Sequence, residues 1–195
     1  MKKGLTELVF IVDRSGSMAG LEKDTIGGFN SILKEQAALE GEAYVTTVLF
    51  DNDDELLHDR IDIRAVAPLT EEAYRVGGST ALLDAIGHTI KKIRAVQKQT
   101  AKDYRAEKVL FVIITDGAEN ASRKYSAAEI KKRIEHQKEA HGWEFVFFGA
   151  NMDAVMEAAK IGIEADRAQG WEATCRGTSK AYNIMSAITT SIRRQ

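Results

Sequence analysis

Cysteine and proline are nearly missing from this chain, with Cys175 and Pro68 the only ones in 195 residues. One cysteine excludes intrachain disulfides and cysteine-rich metal sites, and Cys175 reads as a packed or inert thiol with nothing nearby to activate it. No surplus of charge exists either: 27 basic against 29 acidic side chains give a net charge of -2, so nucleic acid and anionic membrane are not expected as partners. No apolar run approaches the roughly 20 residues of a membrane span. The start, Met1-Lys2-Lys3-Gly4, lacks the apolar core of a secretory signal, and a cytoplasmic protein is expected.

Several enzyme signatures are missing too. There is no Gly-x-Ser-x-Gly around Ser15 and Ser17, no Gly-x-Gly-x-x-Gly after a strand, and no Walker lysine motif. His58, His88, His136 and His141 show no zinc-type pairing and read as surface residues. Asp51-Asn52-Asp53-Asp54 is dense in carboxylates but lacks the downstream Gly and Glu of an EF-hand loop, so it reads as a turn.

What is present is a globular composition, 44% hydrophobic and 29% charged, with strands and helices in alternation. Leu8 to Val12 is an unbroken apolar run, as expected of a strand buried on both faces, and Val109 to Thr115 is the most apolar run in the chain. Further strands are expected over Ala43 to Phe50, Glu55 to Ile63 and Trp143 to Phe148, with a weak last one within Ala165 to Trp171. Helical periodicity marks Leu21 to Leu39, Ala81 to Val96 and Thr178 to Arg194. Thr70-Glu71-Glu72 reads as the start of a short helix, Ser126 to Glu129 as a capping box, and Asn151 as the cap of a short helix carrying Val155 and Met156. Gly27 and Gly28 inside the first helix cost about 1 kcal/mol each against alanine, which points to close helix-to-sheet approach.

The pattern predicts an α/β class: one doubly wound, Rossmann-like domain over residues 1–195. Its sheet is mainly parallel, with one antiparallel edge strand from the short turn after Phe50 and helices on both faces. In such sheets ligands sit at the carboxyl ends of central strands. There the first strand runs into Asp13-Arg14-Ser15-Gly16-Ser17, and the most apolar strand runs into Asp116-Gly117. The Gly77-Gly78-Ser79-Thr80 loop opens a helix and presents a further hydroxyl. Carboxylates and hydroxyls without nitrogen or sulfur are the ligand set of hard divalent cations.

These residues resemble the von Willebrand factor A (vWA) family with a metal-ion-dependent adhesion site (MIDAS). The family pattern is Asp-x-Ser-x-Ser after the first strand, a threonine in a later loop and an aspartate after the fourth strand. Asp13, Ser15, Ser17, Thr80 and Asp116 match all five positions, and the Asp-Arg-Ser-Gly-Ser-Met form resembles stand-alone bacterial and phage members. The resemblance implies a vWA fold and a Mg2+ or Mn2+ ion, with Ca2+ less expected. It also implies a non-enzymatic protein-binding role in which a partner's Glu or Asp reaches the ion. Bacterial members of the family work beside AAA+ ATPases or in metal and stress resistance, so a partner of either kind is expected. Glu119, Asn120, Arg14 and Arg123 are expected to border the site and tune the choice of partner. Two alternatives stand beside this reading. One is a Mg2+-dependent phosphatase of the haloacid dehalogenase type, whose second aspartate is Ser15 here. The other is an interaction domain that needs no metal.

Overall fold

Strand β1 (Lys2–Asp13) lies inside the sheet, and its residues Leu5 to Asp13 are all buried. The structure is a computed structural model and describes residues 1–194. Side chains alternate across a strand, so β1 feeds two cores at once. Leu8, Phe10 and Val12 face one, while Val9 and Ile11 face the other.

The remaining elements are α1 (Glu22–Ala37), β2 (Glu42–Phe50), β3 (Asp54–Asp62), α2 (Leu82–Gln99) and β4 (Ala106–Thr115). They continue with α3 (Ala127–His141), β5 (Glu144–Ala150), α4 (Ala154–Lys160), β6 (Ala168–Trp171) and α5 (Cys175–Arg194). The sheet order is β3-β2-β1-β4-β5-β6. Only the β2–β3 pair is antiparallel, which puts the hairpin strand at one edge as the short turn requires. Strands β1 and β4 are direct neighbours in parallel register, so Asp13 and the residues after Thr115 leave the sheet side by side.

Helices α1 and α5 cover one face through Phe29, Ile32, Tyr182 and Met185. Helices α2, α3 and α4 cover the other through Ile86, Ile90, Ile134 and Ala158. The Ser126–Glu129 capping box forms as the sequence suggests. The close approach expected of Gly27 and Gly28 is made by one of them, and to a helix rather than the sheet. A Cβ on Gly28 would lie 2.3 Å from the Tyr182 ring of α5, whereas one on Gly27 would meet nothing within 4 Å.

Four local expectations are corrected. Residues 71–73 form a single turn, held by the Thr70 carbonyl and hydroxyl, instead of a helix. Asp153, not Asn151, caps α4 by accepting the Met156 N–H. That helix buries Ala154 and Ala158 and leaves Val155 and Met156 exposed. His58 is buried and shares a hydrogen bond with the Thr47 hydroxyl. Burial lowers its pKa and favours the neutral imidazole. Cys175 is exposed rather than packed, and the Asp24 carboxylate beside it raises its pKa, which disfavours the reactive thiolate.

Candidate functional site at the carboxyl ends of β1 and β4

The site starts where β1 ends. Asp13 is fully buried, and each of its carboxylate oxygens has a partner. Oδ1 accepts the Ser15 N–H at 2.7 Å, which folds the loop back on itself, and Oδ2 accepts the Thr115 hydroxyl at 2.6 Å from β4. The buried Tyr74 hydroxyl donates to the Asp13 carbonyl. A short 3-10 turn over Gly16–Met18 then brings the two serines together, Ser15 Oγ to Ser17 Oγ at 3.2 Å. Ser17 Oγ donates to Asp116 Oδ1 at 2.6 Å, joining the two strand ends through one hydroxyl.

Thr80 arrives from the loop before α2. A Cβ built on Gly117 would lie 2.9 Å from Thr80 Oγ1 and 3.2 Å from Ser17 Oγ. Both hydroxyls therefore crowd the same glycine, and a Cβ there would force them to move. The loop is tied on both flanks. Gly16 N–H donates to the Gly78 carbonyl, Gly77 N–H to the Arg14 carbonyl and Ser79 N–H to Asn52 Oδ1. Asn120 clasps Thr80 reciprocally, accepting its N–H through Oδ1 at 2.9 Å and donating its own N–H to the Thr80 carbonyl at 3.1 Å.

Asp13, Ser15, Ser17, Thr80 and Asp116 thus converge on one end of the sheet. The four residues other than Ser17 are nearly buried, while Ser17 is open to solvent. Burial raises the pKa of Asp13, against the Ser15 and Thr115 hydrogen bonds that pull it down. Burial also raises that of Asp116, opposed by the Ser17 hydroxyl and reinforced by the negative charge of Asp13. Two desolvated carboxylates this close are an unfavourable arrangement that a cation would relieve.

Among the described residues, no cluster of three His, Cys, Asp or Glu side chains could hold a metal. A site here must therefore draw on hydroxyls. The donor set, two carboxylates and three hydroxyls, fits a hard divalent cation of the Mg2+ or Mn2+ kind.

Of the four flanking residues, three are spent on scaffolding. Arg14 is paired with Asp51 at 2.9 Å and Glu55 at 2.6 Å, and Asn120 holds Thr80. Glu119 accepts the N–H groups of Ala121, Ser122 and Leu83 and the Ser122 hydroxyl, so it caps the first turn of α2. Arg123 is exposed, and its backbone N–H is held by Asp84. Sequence reasoning missed Thr115, Tyr74 and Asn52 as supports. The one available signal was Thr115 itself, a hydroxyl residue ending the most apolar strand beside Asp116.

Superposition on solved structures decides the fold. The chain matches the von Willebrand factor type A protein from Catenulispora acidiphila with a TM-score of 0.59, at 17% identity over 93% of this chain and 42% of that one. The chain has the von Willebrand factor A fold. The vWF domain of the type V pili tip protein Mfa5 from Porphyromonas gingivalis matches at a TM-score of 0.62, 11% identity, 97% of this chain and 96% of that one. Proximal thread matrix protein 1 from the mussel byssus, solved with a zinc-occupied MIDAS motif, matches at 0.59, 13% identity, 94% and 45%. The chain spans less than half the length of the Catenulispora and mussel proteins. A scan of protein-family models and a search of curated protein sequences give no match. No helix among the described residues is long and apolar enough to cross a membrane.

Proposed function

We propose that this vWA-fold chain is a divalent-metal-dependent protein-binding module. In this reading Asp13, Ser15, Ser17, Thr80 and Asp116 hold Mg2+ or Mn2+, and a Glu or Asp side chain of a partner protein completes the site. The observation that carries it is the position of Ser17 Oγ, 2.6 Å from Asp116 and 3.2 Å from Ser15 and crowding Gly117 together with Thr80. One exposed hydroxyl thereby links both strand ends and the third loop at the solvent boundary.

When bound, the metal supplies a Lewis-acid centre that attracts an anionic oxygen. The chain's own residues set how strong that centre is. Asp13 and Asp116 balance a 2+ charge, whereas Ser15, Ser17 and Thr80 add only neutral oxygens and leave the centre receptive to a further carboxylate. Thr115, Ser15 N–H and Tyr74 fix Asp13 in place, and Asn120 fixes Thr80, so the ligands need little rearrangement on binding. The neighbouring solved structure with a zinc-occupied MIDAS motif supports divalent binding on this fold.

A binder is favoured over a phosphatase by the chemistry of the loop. The position two residues after Asp13, where a haloacid dehalogenase-type phosphatase needs a general acid, holds Ser15. The test is capture of proteins from a lysate of the source cells by immobilised chain in Mg2+ and in EDTA, beside Asp116→Ala. Bands retained only by wild type in Mg2+ support the bridge. Identical capture in all three arms overturns it.

A further inference from the structure

A groove of about 690 Å3 adjoins the Thr80 loop, within the size range of ligand-binding pockets. The β2–β3 turn, Ser79, the first turns of α2 and the loop that follows Asp116 line it. Several of its polar groups are already spent. Asp84 accepts the N–H groups of Arg123, Lys124 and Tyr125, and His88 shares a hydrogen bond with Asp54 at 2.6 Å. Two carboxamides are only half spent, and in the same way. Asn52 Oδ1 accepts the Ser79 N–H at 2.8 Å, and Asn120 Oδ1 accepts the Thr80 N–H at 2.9 Å. The next N–H, that of Ala81, donates to the Asp51 carbonyl at 2.8 Å. The loop carrying Thr80 is thus stitched to the β2–β3 turn on one flank and to Asn120 on the other.

Fixing each Oδ1 also fixes the direction of its Nδ2, because the amide is planar and carries its two donors on the nitrogen. Asn52 is held further by close packing, since a Cβ on Gly78 would lie 2.9 Å from its Nδ2. Among the described residues neither Nδ2 has a hydrogen-bond partner, and both asparagines are exposed and line the groove. The charge of the groove limits what these donors can meet. Asp53, Asp54 and Asp84 stand against Arg123 and Lys124, which leaves no positive surplus for a second anion. Neutral carbonyl oxygens are the fitting acceptors. An extended backbone presents them about 3.3 Å apart along the chain, whereas a helix uses its carbonyls internally.

We propose that this groove takes an extended segment of the partner protein. Its backbone carbonyls accept from Asn52 Nδ2 and Asn120 Nδ2 while its Glu or Asp side chain reaches the metal. The groove acts together with the ion, so this assignment rests on the metal-dependent reading above. It adds the form of the partner, which offers a loop or a terminus rather than a helix. Main-chain hydrogen bonds of this kind give affinity with little dependence on the partner's other side chains.

The experiment is proton–nitrogen correlation NMR of the isotope-labelled chain in saturating Mg2+, titrated with Ac-Gly-Gly-Glu-Gly-Gly-NH2 and separately with propionate. Propionate is the glutamate side chain alone, and the glycines add only backbone. Wild type is compared with Asn52→Asp and Asn120→Asp, which keep the accepting oxygen and lose the donor. The side-chain NH2 pair missing from each variant identifies that of Asn52 or Asn120. Both ligands are expected to shift the backbone resonances of Ser17 and Asp116. Only the peptide is expected to move the two NH2 pairs, and it should bind about fivefold more tightly than propionate. That advantage should shrink in each variant, and measuring it against propionate in the same variant cancels any change at the metal site. Propionate binding with no gain for the peptide, or NH2 pairs that the peptide leaves unmoved, overturns the groove while the metal reading stands. No response to Mg2+ or to propionate overturns the metal reading and the groove with it.

Discussion

Thr115 Oγ1 donates to Asp13 Oδ2 at 2.6 Å, a hydrogen bond between the last residues of two adjacent parallel strands. The same hydroxyl oxygen receives the Gly117 N–H at 3.3 Å. One threonine therefore fixes a carboxylate on β1 and the start of the loop that carries Asp116. Thr115→Val keeps the shape and removes the bond. A hydrogen bond to a charged group is worth about 1.5–3 kcal/mol, so Mg2+ affinity should fall at least tenfold, read by calorimetry. A melting temperature that drops while affinity holds would assign Thr115 to folding alone.

Gly117 should tolerate no side chain if the hydroxyls around it are ligands. The added methyl of Gly117→Ala meets Thr80 Oγ1 at 2.9 Å and Ser17 Oγ at 3.2 Å, and both are short side chains able to swing away. The expected outcome is loss of Mg2+ binding with an unchanged far-UV circular dichroism spectrum.

The paired glycines of α1 should respond with opposite signs. Gly28→Ala drives a methyl into Tyr182, 2.3 Å away, and overpacking of this kind costs about 1–3 kcal/mol. Gly27→Ala meets nothing within 4 Å and should gain up to about 1 kcal/mol of helix propensity. Urea denaturation of both variants distinguishes the two effects.

The acid dependence of the site has a definite sign. Burial raises the pKa of Asp13 and Asp116 above the ordinary 3.8 in the metal-free protein. A carboxylate with a raised folded-state pKa contributes stability that is full below its unfolded value and is lost as pH rises through the folded value. Metal binding needs both carboxylates ionised, so protons and Mg2+ compete. The rise in melting temperature on adding Mg2+ should therefore be near zero at pH 4 and grow towards pH 7. A rise independent of pH would place the ion elsewhere.

Much of this was legible in the residues. The apolar runs of β1 and β4 announced two-sided burial, and the short Asp51–Asp54 turn announced an antiparallel edge strand. The Asp13, Ser15, Ser17, Thr80 and Asp116 set is local in sequence or sits at element ends, where periodicity gives the position. What stayed hidden depends on pairings distant in sequence. Asn120 reaches Thr80 across 40 positions and Tyr74 reaches Asp13 across 61, and neither pairing has a spacing signature. Glu119 looked like a free carboxylate at a binding rim, but three backbone N–H groups claim it. His58 misled for the same reason: its strand is at an edge, yet the imidazole turns inward to Thr47.

The most direct measurement is calorimetric titration of the EDTA-treated chain with Mg2+ and Mn2+, repeated on Asp13→Ala and followed by thermal shift. The account predicts single-site binding and a raised melting temperature in wild type, both lost in the variant. Neither heat nor shift in wild type, or an undiminished response in Asp13→Ala, would contradict the metal site and the partner-binding function built on it.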